Sequence, residues 1–391
     1  MSVAAVQIAE PDTDGDIGAM LRKSVQDFCA RHSGVVRTRQ LRGTEPGYDR
    51  AIWQEMADAG WAGIALPEAH GGLGLGLAEL CVVAEELGAD LAPEPFAAAT
   101  VAAMILAGGD NVALQARLLP SIASGELLPA FAWQEAPNVG DPLAISMTLT
   151  ADGAGFSLTG TKRFVPSAGG ADGFVVTVIG PEGPAIVWVP AEATRLTIMP
   201  DLAFDGSTLS TVAFDGVRIA SADIVASASV APALLQQALD EALVLASAEL
   251  LGNLSSAFRR TRDYACQRVQ FGKAIGSFQA LQHRMVDLFI QQELTRACVE
   301  DAISACARSD MERRGLCASA AKARASEAAV LIGRQSIQIH GAIGYADEHD
   351  IGLFLKRAVV RSAWLGTAAV HRKRFSALYD ASAAHNETSG K

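Results

Sequence analysis

The chain lacks most of the short motifs that betray a chemistry. There is no Gly-x-x-x-x-Gly-Lys-Ser/Thr loop for a nucleoside triphosphate and no Gly-x-Ser-x-Gly turn for a nucleophilic serine. Its six cysteines (Cys29, Cys81, Cys266, Cys298, Cys306, Cys317) form no Cys-x-x-Cys pair, and four fall in apparent helices, so reduced structural thiols are expected. Charge is scarce, at 19% of residues, and the net value of −11 argues against a nucleic acid or an anionic membrane as partner of the whole protein. Local arginines and backbone amides can still hold phosphates. Met1 to Gly18 carries no Lys or Arg and no apolar core, unlike a signal peptide. The most apolar stretch, Phe96 to Gly109, falls short of the roughly 20 residues a bilayer requires, and reads as a buried core helix. A cytoplasmic protein without a membrane span is the expectation.

What is present is length, apolar residues and a change of period. The 391 residues are half hydrophobic, alanine-rich, and enough for two or three domains. From about Ile17 to Gly125 apolar residues recur at helical spacing, as in Ala51–Ala59 and Ala78–Leu87, with stops at Gly60, Gly88 and Pro93. Between Leu127 and Ile219 the runs Gly173–Ile179, Ala185–Val189, Arg195–Met199 and Leu209–Phe214 are rich in Val, Ile, Phe and Thr. Turn signals such as Asp152-Gly153, Pro181-Glu182-Gly183-Pro184 and Asp205-Gly206 separate them, which predicts a compact all-β domain. Helix returns from Val230 to about Tyr379. Leu235, Leu239, Leu243, Ala246, Leu250, Leu254 and Phe258 draw one stripe, and further helices are expected over Ala280–Ala307, Gly315–Ile339 and Asp350–Trp364. No repeat is visible, and only about Ala381–Lys391 has the composition of a disordered tail.

Two tempting features carry little. Gly71-Gly72-Leu73-Gly74-Leu75-Gly76 follows no predicted strand, so its glycines belong to a loop between helices, not to a dinucleotide fingerprint. Glu348-His349-Asp350 are adjacent residues on one loop, a poor geometry for converging on a metal ion.

A stronger constellation spans Arg268-Val269-Gln270-Phe271-Gly272-Lys273 through Phe278-Gln279 to His283, between two long helices. Arginine offers a planar, permanently charged fork for phosphate oxygens. Glycines permit a tight turn, the phenylalanines supply apolar surface, and Gln279 offers donors and acceptors to a ring such as adenine. Further on, Gln338-Ile339-His340-Gly341-Ala342-Ile343-Gly344-Tyr345 is a helix end followed by a glycine turn.

Together with Leu66-Pro67-Glu68, Gly71-Gly72 and Leu158-Thr159-Gly160-Thr161-Lys162, these segments resemble the acyl-CoA dehydrogenase family over nearly the whole chain. The resemblance implies an α+β multi-domain fold: an N-terminal α-helical domain (1–125), a middle β-barrel-like domain (126–228) and a C-terminal four-helix bundle (229–391). It implies FAD at a subunit interface, an acyl-CoA substrate, a homo-oligomer or an unlike acyl-CoA dehydrogenase subunit as partner, and electron-transfer flavoprotein as acceptor. Carried over position by position, Arg268, Gln270, Phe271, Gln279, Gln338 and Gly341 serve the diphosphate and adenosine end, often of the neighbour's FAD, and Thr367 is a further cofactor contact. Glu135 and Phe164 fall on the flavin side.

Departures from the family pattern cluster near the chemistry. Where a Thr-Glu and a Gly-Ser-Asp turn are usual, this chain has Trp133-Gln134-Glu135-Ala136-Pro137-Asn138-Val139-Gly140-Asp141. Where Trp-Ile-Thr is usual, it has Phe164-Val165-Pro166-Ser167, and only Ser167 is left as a hydroxyl donor. In the family a carboxylate removes the α-proton of the thioester while a hydride leaves the β-carbon. One usual base position is Leu365 here, and leucine takes no proton. The other, ten residues before Gly252, is Ala242; aligning instead on Leu243-Val244-Leu245-Ala246 brings Glu241 into register, with Asp240 beside it. The usual Arg-Asp pair of the final helix becomes Lys356-Arg357. Three readings follow: a dehydrogenase with Glu241 as base, a cofactor-holding partner of an unlike subunit in lipid or steroid side-chain degradation by bacteria, or a flavin oxidase or monooxygenase on the same fold.

Overall fold

A computed structural model describes residues 13–137, 140–153, 155–308 and 311–389. Six helices come first: α1 (Thr13–His32), α2 (Gly34–Leu41), α3 (Arg50–Asp58), α4 (Leu77–Asp90), α5 (Phe96–Gly108) and α6 (Val112–Ala123). Their ends follow local chemistry. The Asp49 carboxylate accepts from Ala51 N at the start of α3, Asn111 accepts from Leu114 N at the start of α6, and the Glu79 carboxylate reaches back to Gly76 N before α4. The apolar helix α5 is buried nearly all round, as expected, and the Gly71–Gly76 segment is a loop leading into α4. No helix among the described residues is long and apolar enough to cross a membrane.

Eight strands follow: β1 (Pro129–Ala132), β2 (Thr148–Asp152), β3 (Gly155–Pro166), β4 (Gly173–Gly180), β5 (Gly183–Pro190), β6 (Leu196–Leu202), β7 (Thr208–Ile219) and β8 (Ile224–Ala226). They form one sheet in the order β6-β7-β3-β2-β4-β5-β8, with β1 parallel to β4. Pro181 and Glu182 make the two-residue link between β4 and β5. The register of β3 against β7 slips between Lys162 and Val165, and Phe164 lies inside that irregularity with φ +57°.

The C-terminal part begins with the 37-residue α7 (Ala231–Gln267). A small hairpin, β9 (Val269–Gln270) with β10 (Lys273–Ala274), leads to α8 (Gln279–Cys306), α9 (Met311–His340), α10 (Ile351–Ala363) and α11 (Ala368–Ser389). The last helix corrects one expectation: residues 381–389, whose composition suggested disorder, continue α11. In α7 the striped leucines Leu235, Leu239, Leu243, Leu250 and Leu254 are all buried.

Helix α7 meets α4 at unusually close range. A Cβ on Gly88 would stand 2.2 Å from the Glu249 carbonyl oxygen, and one on Gly252 would stand 1.8 Å from that of Glu85. Each glycine is thus a notch for the other helix's backbone. The sheet separates α4 from α7 in sequence, yet the two helices share one apolar core.

Candidate active site

The segment expected at the adenosine end is an exposed rim. At the β9–β10 turn Phe271 and Gly272 both have positive φ, +53° and +79°, as a tight two-residue hairpin requires. Phe271 is 92% exposed, edge-on to Phe278, and the Lys273 ammonium lies over the Phe278 ring at 4.4 Å. Arg268, Gln270, Gln279 and Gln338 are exposed, and so is Gly341, with φ +68°. The Gln270 amide folds back onto the Val269 carbonyl, whereas the Arg268 guanidinium has no partner among the described residues. Tyr264 joins the two halves of this rim. Its ring stacks on His340 at 4.3 Å and its hydroxyl donates to the His340 carbonyl, so the end of α7 meets the end of α9.

On the side expected to face the flavin the opposite holds. Lys162 is fully buried and its ammonium donates to the Glu135 carboxylate (2.7 Å), the Thr177 hydroxyl (2.9 Å) and the Trp133 carbonyl (3.2 Å). Glu135 also accepts from Ser146 and from Met147 N, so both of its oxygens are engaged within the chain. Burial alone would raise the Glu135 carboxyl; Lys162, Ser146 and Met147 outweigh it and hold the group below its usual range. Burial pushes Lys162 down to about 8, against the pull of Glu135. Phe164 is half-buried under the Arg163 guanidinium at 5.3 Å, and Ser167 also has positive φ, +53°. Two non-glycine residues in the left-handed region within four positions mark a strained stretch held by its surroundings. Asn138 and Val139, part of the expected flavin-side turn, lie outside the described residues.

The structure separates the candidate carboxylates. Asp240 is 1% exposed and ion-paired to Arg314 (3.2 Å) and Arg374 (2.5 Å), hence committed to the bundle. Glu241 instead lines a cavity of about 670 Å³ with Pro67, Leu75, Met104, Leu234 and Gln237, and accepts from the Gln237 amide at 2.9 Å. Burial raises its carboxyl above the usual range, against the effect of Gln237 and Arg314. Ala242 is buried in the core. Leu365 is 1% exposed, with φ +62°, and its carbonyl accepts from His371 Nε2 at 2.9 Å. Thr367 is half-buried beside a different cavity of about 540 Å³, together with Arg324, Arg334 and Arg372. Glu241 and Thr367 are therefore not brought into one cavity.

Known proteins agree with this architecture. Residues 18–126 match the acyl-CoA dehydrogenase N-terminal domain, and residues 232–377 match the acyl-CoA dehydrogenase C-terminal domain. Acyl-CoA dehydrogenase IpdE2 of Mycobacterium tuberculosis is 30% identical over 340 residues, covering 87% of this chain and 90% of that relative. The chain belongs to the acyl-CoA dehydrogenase family. A solved steroid ACAD variant, Tcur3481-Tcur3483, superposes with a TM-score of 0.87 at 32% identity, over 95% of this chain and all of that one. The ChsE4-ChsE5 complex of Mycobacterium tuberculosis superposes with a TM-score of 0.82 at 25% identity, over 94% and 97% of the two chains.

As an acyl-CoA dehydrogenase the chain is an oxidoreductase of a flavoprotein family, and its donor set suits FAD. A guanidinium without a partner, exposed amides at Gln279 and Gln338, and bare backbone at Gly341 match a diphosphate and an adenine. Several polar groups around the acyl-CoA dehydrogenase positions have partners that the sequence does not announce. Lys322 and His371 are both wholly buried against the turn that carries Leu365, and Arg357 pairs with Asp205 at 2.7 Å between α10 and the sheet domain. The change to Lys356-Arg357 thus supplies a buried clasp between domains. Its partner stands 152 residues away in sequence, where no local pattern announces it.

Proposed function

We propose that this chain is one subunit of an FAD-dependent acyl-CoA dehydrogenase, oxidising an acyl-CoA to the 2-enoyl-CoA, in which it presents the diphosphate and adenosine surface while an unlike subunit supplies the base. The observation that carries this reading is Leu365. The position where the family usually places a proton acceptor is a buried leucine whose backbone is tied down by His371. Bound FAD would supply the hydride acceptor. Arg268 would neutralise the diphosphate, Gln279 and Gln338 would meet the adenosine, and Thr367 would lend its hydroxyl. A chain whose rim points outward needs a neighbour to complete the site, so a dimer or higher assembly follows. The resemblance to a steroid ACAD favours a bulky acyl group, and electron-transfer flavoprotein in the cytoplasm is the acceptor in this reading.

Glu241 keeps a second reading in play, because it is a carboxylate in a cavity with a raised pKa, as a general base requires. Purification from the native host, followed by assay with acyl-CoA thioesters, separates the two. Under the first reading an unlike subunit copurifies, the isolated chain is inactive, and Glu241→Gln leaves the complex active. Under the second, Glu241→Gln lowers kcat by about 100-fold or more at unchanged flavin content. An active, flavin-bound monomer would refute the subunit reading outright.

A further inference from the structure

Lys322, on α9, is a fully buried ammonium with no carboxylate among its hydrogen-bond partners. Its acceptors are the Ser326 hydroxyl (3.1 Å) and three carbonyls: Arg361 (3.2 Å), Ser362 (3.1 Å) and Gly366 (3.3 Å). The first two are carbonyls left open at the end of α10, and the third belongs to the turn before α11. From α11, His371 Nε2 approaches the Leu365 carbonyl at 2.9 Å. A carbonyl only accepts, so Nε2 carries the proton. Burial, with Lys322 nearby, pushes His371 down to about 3, so the ring is a neutral donor. Between these two donors run Leu365 and Gly366, with φ of +62° and +105°. A Cβ at Gly366 would lie 2.9 Å from His371 Nε2, so glycine is what lets the imidazole close on the turn.

An ammonium taken fully out of water is costly unless its protons are all used. Here they are used on one turn. The charged groups facing it are Glu249 of α7 and Arg361 of α10, which are paired with each other at 2.8 Å, and the titratable neighbour from α11 is the neutral His371. Neither Lys322 nor His371 touches the cavity of Glu241. What they share is the backbone immediately before Thr367, whose own carbonyl accepts from His371 N (3.1 Å) as α11 begins.

We propose that Lys322 and His371 are positioning residues: from two different helices they clamp the 361–366 carbonyls, and so hold Thr367 where it meets the cofactor. This rests on the FAD reading above for Thr367, but the clamp itself can be measured without FAD. The test uses the full chain in the assembly it forms, with Lys322→Met, His371→Phe and His371→Gln. Hydrogen exchange of the backbone amides at 364–368 in the FAD-free protein should quicken about tenfold or more in the Met and Phe variants, while β4 and α4 keep their protection. FAD titration should show affinity about tenfold or more weaker in the same two, the loss expected when a buried hydrogen bond goes and leaves its carbonyl unpaired. Gln at 371, whose amide can still donate to Leu365, should restore both. Unchanged exchange at 364–368 in a folded variant overturns the clamp, and a loosened turn with unchanged FAD affinity overturns its role at the cofactor. If Lys322→Met does not fold, the His371 pair decides. A wild-type assembly that takes up no FAD defeats the cofactor reading instead, and the exchange rates then judge the clamp alone.

Discussion

The rim around Arg268 and the interior around Lys162 are built on opposite terms. On the rim, Arg268, Gln279 and Gln338 are exposed, and Phe271 is held in a left-handed conformation with its ring in the open. In the interior, Lys162 and Glu135 satisfy each other and the surrounding backbone, and Lys322 and His371 do the same around the 361–366 turn. Groups that act within their own chain are bonded before any ligand arrives. Groups on the rim are left open, and the strained Phe271 meets Phe278 edge-on while its own ring stays exposed.

This contrast can be broken by mutation. The largest effect should come from Lys162→Met, which takes the counter-charge away from the Glu135 carboxylate. A loss of about 3–5 kcal/mol is expected for one partner of a buried pair, read by denaturant unfolding. A loss below about 1 kcal/mol would show that the interior is no more committed than the rim. Arg268→Ala should do the reverse. Unfolding should shift by less than about 0.5 kcal/mol, while FAD binding in the assembly weakens about tenfold. Unchanged FAD content in every assembly containing the variant would end the cofactor role of the rim.

Two finer tests sharpen the comparison. Burial pushes Lys322 from an unfolded value of 10.5 down to about 7. The unfolded chain then binds the extra proton between those values, so stability should rise with pH from about 7 to about 10.5 and the contribution is lost as pH falls through 7. The slope in that window should flatten in Lys322→Met, as followed by Tm against pH. The smallest effect belongs to Phe271→Gly. Relief of the positive φ should stabilise the free chain by about 0.5–1 kcal/mol, while assembly or FAD binding weakens. A fall in stability would mean that the edge-on contact of Phe271 with Phe278 outweighs the relief of strain.

Much of the fold was legible because it rests on period. The runs over Gly173–Ile179, Ala185–Val189 and Leu209–Phe214 became β4, β5 and β7, and the leucine stripe from Leu235 became the buried face of α7. Short strands such as β1 and β8 escaped, since three or four residues show no period. Helix α11 was cut short because Ser, Asn and Thr near its end suggest a tail. At the site, the residue types that make the rim a candidate are legible in the sequence, and so are the leucine at 365 and the alanine at 242. What could not be read was commitment. Asp240 and Glu241 are neighbours in sequence, yet one is tied to Arg314 and Arg374 and the other lines a cavity. That difference comes from helices more than 70 residues away.

The paired notches at Gly88 and Gly252 bear on how the chain is made. Helix α4 is complete at Asp90, but the surface that covers it is centred on Gly252, about 160 residues later. At ribosomal speeds of roughly 5–20 residues per second, the face of α4 waits some 10–30 s for its mate. During that interval Leu80, Val83, Ala84 and Leu87 lack their final cover. The nascent chain is then at its most adhesive, and a helper that binds apolar helix faces would find its substrate there. A substitution that fills either notch would lengthen the wait, since α7 would arrive and fail to seat.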